Sequence, residues 1–124
     1  MHLVSRWLPV FLWAGVIFFG SSLPPTMATA SHWSDFTLKK MLHFAEYAIL
    51  YLLLWRATRG NWRVSLLLCA LYAVSDEFHQ SFTPGREPTV RDVLIDTGGA
   101  SGAGFVLWKY TALLPKRLKS WLVS

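Results

Sequence analysis

Acids, amides and imidazoles recur inside apolar stretches of this chain, at the spacing of helix turns. His43, Glu46 and Tyr47 fall three and four residues apart. So do Asp76, His79 and Gln80, with Glu77 three before Gln80, and Asp92 lies four before Asp96. Residues so spaced share one helix face, which makes each set a polar ridge. His43 with Glu46, or Glu77 with His79, has the residue types for general acid–base transfer, so the catalytic candidates are His43, Glu46 and Glu77. No Gly-x-Ser-x-Gly or comparable nucleophile signal is present, and any hydrolysis would have to use activated water. Arg86 follows Pro84-Gly85, a turn that can hold it in a fixed direction, and its guanidinium suits a phosphate or carboxylate. The acids and Gln80 can hold sugar hydroxyls or peptide amides. The candidate ligand-binding set is therefore His43, Glu46, Tyr47, Asp76, Glu77, Gln80, Arg86, Asp92 and Asp96. His43, Glu46, Asp76, Glu77 or His79 could ligate a metal from helices, but a His-x-x-x-His core is missing. No metal and no cofactor is expected. The competing reading is structural: a buried polar knot in which Arg86 or Arg91 pairs with Glu77, Asp92 or Asp96 and holds helices in register.

These ridges need elements that bring them to one level. The 124 residues are 53% hydrophobic and 15% charged, with seven Trp, too apolar and aromatic for an ordinary soluble domain of this size. The length suits a single domain, residues 1–124. Four apolar stretches, at about residues 3–20, 38–56, 62–80 and 92–114, approach the roughly 17–25 residues of a spanning helix. The expected fold is all-α, an integral membrane bundle of four transmembrane helices. Pro24-Pro25 stops the first helix and Pro115 the fourth. The run Arg56-Ala57-Thr58-Arg59-Gly60-Asn61 reads as a tight turn between helices two and three. Four antiparallel spans place all three ridges at the same face, where ionisable groups at membrane depth read by default as a functional site.

The remaining residues fit a membrane chain. In helix four, Gly98 with Gly102 and Ala100 with Gly104 give small-xxx-small spacing for close helix approach. Trp7, Trp33, Trp55, Trp62, Trp108 and Trp121 lie near segment ends or in loops, where indole rings anchor at an interface; Trp13 is mid-span. Cys69 is the only cysteine and reads as a small packed residue, and His2 and His32 read as inert. Arg6, an apolar core and Ala28-Thr29-Ala30 outline a secretory signal, but the Pro pair sets that triplet far from the core, so the segment is expected to remain as a span. The net charge is +5, yet Lys and Arg fall between apolar stretches rather than in one patch, so nucleic acid is not an expected partner. More of them lie on the side of the termini and second loop (Arg6; Arg56, Arg59, Arg63; Lys116, Arg117, Lys119) than on the other (Lys39, Lys40; Arg86, Arg91). Both termini are therefore expected to be cytoplasmic, with the polar face outward.

Taken in order, Lys40 with His43-Phe44 and Tyr47, Glu77 with Gln80, Pro84-Gly85-Arg86, and Asp92 followed by Gly98 and Gly102 resemble the VanZ-like family of small bacterial integral membrane proteins. Ser21-Ser22 after helix one also fits. The resemblance runs from Leu38 to Gly104 and departs at Asp96, where many members carry Asn. It implies a multi-pass protein of the bacterial cytoplasmic (inner) membrane, in a family whose name-giving member is associated with teicoplanin resistance. The expected function is an outward-facing site that binds or remodels a cell-envelope component, with membrane lipids or a lipid-linked cell-wall precursor as partner. Two alternatives stay open: a structural or partner-binding membrane protein with no ligand site, and a membrane-embedded hydrolase acting on a lipid headgroup.

Overall fold

A computed structural model describes residues 2–23, 32–85 and 89–124, with only the backbone of residues 32–35. The regular elements among them are α1 (His2–Ser22), α2 (His32–Ala57), α3 (Trp62–Gln80), α4 (Val90–Tyr110), a 3-10 turn (Thr111–Leu113) and α5 (Lys116–Val123). The fold is all-α, with no strand among the described residues. Two boundaries differ from the sequence reading. Helix α2 starts at His32 and not near residue 38, and the stretch 92–114 divides into α4 and the 3-10 turn. Pro115 then serves as the N-cap of α5, a helix that the sequence reading leaves out.

Local chemistry explains the ends. The Asn61 side chain accepts from the Val64 amide at 3.2 Å and starts α3, the usual role of a short polar cap. Before it, Arg59 and Gly60 adopt positive φ, 58° and 81°, and the Gly60 amide reaches back to the Trp55 carbonyl at 2.8 Å. That left-handed closure with a six-residue back-bond terminates α2 in the Schellman manner, so the tight turn covers residues 58–61. Pro9 lies inside α1. It has no N–H for the Ser5 carbonyl four residues earlier, and the Arg56 guanidinium donates to that oxygen at 2.9 Å instead. Arg56 also donates to the Trp121 carbonyl at 2.9 Å and stacks over the Trp121 ring, which ties α1, α2 and α5 together.

Helix α2 packs against each of the other four helices and most extensively against α4. A Cβ added at Gly99 would collide with the Phe44 carbonyl oxygen, and one at Gly104 would lie 2.9 Å from the Tyr51 hydroxyl. Gly98 meets nothing within 4 Å, so of the two pairs read from spacing the closest approach falls on Ala100–Gly104, together with Gly99, and not on Gly98–Gly102. Across the other contacts, Trp13 donates to the Glu46 carbonyl at 2.9 Å and Tyr72 to the Ala14 carbonyl at 2.5 Å.

The core is mostly apolar, with Tyr47, Leu50, Leu54 and Leu107 among its buried residues, but polar groups share the interior and large apolar side chains line the outside. Arg56, Asp76, Glu77, Gln80 and Asp96 are buried, whereas Phe11, Phe19, Leu67, Phe78, Leu94 and Trp108 are exposed. Among the described residues, α1 alone is long and apolar enough to cross a membrane by length and composition. Helices α2, α3 and α4 have 26, 19 and 21 residues, and each carries charged residues at the end that meets the polar cavity described next.

Candidate functional site

A cavity of about 540 Å³ opens where the C-terminal ends of α1 and α3 meet the N-terminal halves of α2 and α4. Ser21 comes from α1; Lys39, Lys40, His43 and Glu46 from α2; Glu77 and Gln80 from α3; and Thr89, Arg91, Asp92 and Asp96 from the start of α4. The arrangement follows from the up-and-down order of the four long helices, which brings alternate ends to one level. Arg91 is exposed, Lys39 and Lys40 are half-buried, and Glu77, Gln80 and Asp96 are buried. Glu46 and Asp92 are half-buried like the lysines, so the deepest part of the lining holds Glu77, Gln80 and Asp96 without a cation.

Six of the nine residues named from sequence line this cavity: His43, Glu46, Glu77, Gln80, Asp92 and Asp96. Tyr47 and Asp76 are packed beside it, with exposures of 0% and 2%. Arg86 lies outside the described residues, as do Pro24-Pro25 and the Ala28-Thr29-Ala30 triplet. His43 is the hub of the α2 ridge, its Nδ1 3.5 Å from Asp96 Oδ1 and 4.0 Å from Glu46 Oε2. Asp76 Oδ2 accepts from the Tyr47 hydroxyl at 3.3 Å and from Gln80 Nε2 at 3.1 Å. The ridges of α2, α3 and α4 thus meet at His43, Asp96, Tyr47 and Asp76. Asp76 Oδ1 and Asp96 Oδ2 are buried oxygens with no hydrogen-bond partner among the described residues.

Part of the constellation is structural. Glu77 Oε2 accepts the Thr89 amide at 3.1 Å, while the Thr89 hydroxyl accepts from the Asp92 amide at 3.2 Å and caps α4. Glu77 therefore anchors the entry of α4 to the end of α3. Lys40 pairs with Asp92 across α2 and α4. The polar knot exists, but with a different cation: Arg91 lies over the Phe36 ring, 5.4 Å from its centroid, and forms no described ion pair with Glu77, Asp92 or Asp96. His79 turns to α1, its Nε2 2.9 Å from the Ser22 hydroxyl and its ring stacked on Phe18, so the structure does not bring it together with Glu77.

The sequence reading of the site leaves out Ser21, Lys39, Lys40 and Thr89. Lys40 had a usable signal, three residues before His43 and so on the same face, and both Lys40 and Ser21 belong to the pattern that carries the family resemblance. Spacing alone could not place Ser21 in the site, since its hydroxyl meets Gln80 Nε2 at 3.3 Å across 59 positions. Chemically the cavity can hold an anionic group against Lys39, Lys40 and Arg91 and hydroxyl or amine donors against its acids. Proton transfer through His43 is also within its means.

No curated protein and no solved structure matches the chain. A family model does, VanZ/LLP1, over residues 6–114, and that stretch contains the whole cavity. This chain is a member of the VanZ/LLP1 family.

Proposed function

We propose that this protein spans the bacterial cytoplasmic membrane with its four long helices and binds, at an outward-facing cavity, the phosphate-bearing headgroup of an envelope component. The observation that carries the reading is the cavity itself, charged and about 540 Å³ in volume, in a bundle whose exterior is apolar. Buried ionisable groups on helices that expose Leu, Phe and Trp suit a protein solvated by lipid chains. Its opposite end holds Arg6, Arg59 and Lys119 around a second hollow, consistent with a cytoplasmic face. The envelope component is a phospholipid or a lipid-linked cell-wall precursor, whose shared chemistry is a phosphate joined to an apolar chain. Occupying or remodelling that component would lower the access of glycopeptide antibiotics such as teicoplanin to their target.

The test uses purified full-length protein and two lipids with the same chains, dioctanoyl phosphatidylglycerol and dioctanoylglycerol. The expected result is a rise in unfolding midpoint with the phospholipid alone, reduced in Arg91→Gln. A ligand at 100 times its Kd adds about 2.7 kcal/mol of stability, enough to read as several degrees. Equal shifts with both lipids would mean chain binding only and would refute the headgroup site. A purely structural role has support in the Glu77–Thr89 and Lys40–Asp92 contacts. It leads to the opposite expectation, that no headgroup changes the midpoint.

A further inference from the structure

We propose that His43, Asp76 and Asp96 form a binding site for a divalent cation of the Mn²⁺ or Zn²⁺ class that faces the cavity. One residue comes from each of α2, α3 and α4, and a potential ligand atom of each lies within 4.8 Å of the other two. Ligand atoms held at about 2.0–2.2 Å from one ion in a tetrahedron stand about 3.3–3.6 Å apart, so the trio would close by about 1 Å on binding. His43 and Asp76 are among the residues whose types in sequence could ligate a metal, but their meeting with Asp96 joins three different helices and has no counterpart in spacing.

Three such residues near one another do not by themselves make a site; the state of their oxygens does. Asp76 Oδ1 and Asp96 Oδ2 are buried without a hydrogen-bond partner among the described residues, in side chains of residues 2% and 1% exposed. No Lys or Arg among the described residues lies within 4.0 Å of either carboxylate. The groups around them are the Tyr47 hydroxyl, the Gln80 amide, the His43 imidazole and, beyond His43, the Glu46 carboxylate. None of these is a fixed positive charge. Buried carboxylates in folded proteins are paired or coordinate metals, and a dication would engage both side chains at once. One imidazole with two carboxylates is a mixed nitrogen and oxygen set, which suits Mn²⁺ and Zn²⁺ better than a thiolate-seeking ion.

Three protein ligands leave coordination positions open, as in sites that bind water or substrate. His43 and Asp96 both line the cavity, so the open positions face it. That gives the ion a part in recognition. Glu77 and Asp96 would repel a phosphate from the deeper lining, whereas a bound dication reverses the local sign and accepts a phosphate oxygen. This last step rests on the headgroup reading; the ion site does not.

The test titrates MnCl₂ into full-length protein in detergent after chelator treatment, reading free Mn²⁺ by electron paramagnetic resonance. The expected result is one saturable Mn²⁺ per chain, displaced by Zn²⁺. Asp76→Asn and Asp96→Asn should each weaken binding by about tenfold or more, since even outer-shell changes cost 10–100-fold, and His79→Ala should not. No saturable binding, or undiminished binding in both aspartate variants, overturns the site, the former leaving a proton shared between the carboxylates and the latter placing the Mn²⁺ elsewhere. Should those variants fail to fold, the wild type decides alone: Mn²⁺ must raise its unfolding midpoint, and no shift overturns the site. Phosphatidylglycerol binding that survives EDTA, in protein that takes no Mn²⁺, refutes the ion and leaves the headgroup site standing. Mn²⁺ binding without lipid binding does the reverse.

Discussion

Glu77 illustrates how one buried carboxylate can serve the fold and border the ligand site together. Its Oε2 holds the Thr89 amide at the entry of α4, yet the residue also lines the cavity. The two duties separate by substitution. Glu77→Gln keeps a side-chain carbonyl for the Thr89 amide, and its unfolding midpoint should stay near that of the wild type. Glu77→Ala leaves a backbone donor without its partner, and an unsatisfied buried group costs about 1–3 kcal/mol. An equal loss in both variants would mean that the charge, and not the amide contact, holds α4. Most of the individual site residues were readable from sequence because spacings of three and four put them on shared faces. The meeting of Asp76 with Asp96 was not, since their encounter depends on how α3 and α4 rotate about their axes. The pairing of Lys40 with Asp92 was missed for the same reason, and the sequence favoured arginines as partners.

At the scale of elements, the interface of α2 with α4 sets the geometry of the site. Gly99 lies against the Phe44 carbonyl, one turn from Asp96 and beside His43, so the closeness of the two backbones fixes the His43–Asp96 separation of 3.5 Å. Gly99→Ala must push α4 away from α2 at a cost of about 1–3 kcal/mol. Gly98→Ala, with open space around its Cβ, should be neutral or slightly stabilising, because Ala is the better helix former. Matched denaturation curves of the two variants check this, and an equal loss in both would contradict the packing described. A small-residue pattern announces close packing but leaves open which of two adjacent glycines faces the neighbour, a rotation of 100° per residue. Sequence also missed α5. Pro115 was read as an ending, whereas it caps an amphipathic turn whose Leu122 is buried while Lys116 and Arg117 stay exposed.

For the whole molecule, the two ends of the bundle differ in chemistry. One holds the cavity with its acids, His43 and Lys40; the other gathers Arg6, Arg56, Arg59 and α5, with Arg56 binding carbonyls of α1 and α5. A short basic helix carrying Trp121 and a buried Leu122 suits the headgroup layer of an anionic leaflet. The charge pattern along the chain was enough to suggest this polarity, because loop charges need no tertiary information. Whether the polar cavity opens to the outside of the cell, as proposed above, is decided by single-cysteine labelling in intact cells. In a Cys69→Ser background, Thr83→Cys, beside the cavity end of α3, should react with a membrane-impermeant maleimide, and Asn61→Cys, at the opposite end, only after permeabilisation. Labelling of Asn61→Cys in intact cells with Thr83→Cys protected would place the cavity on the cytoplasmic side and contradict the account.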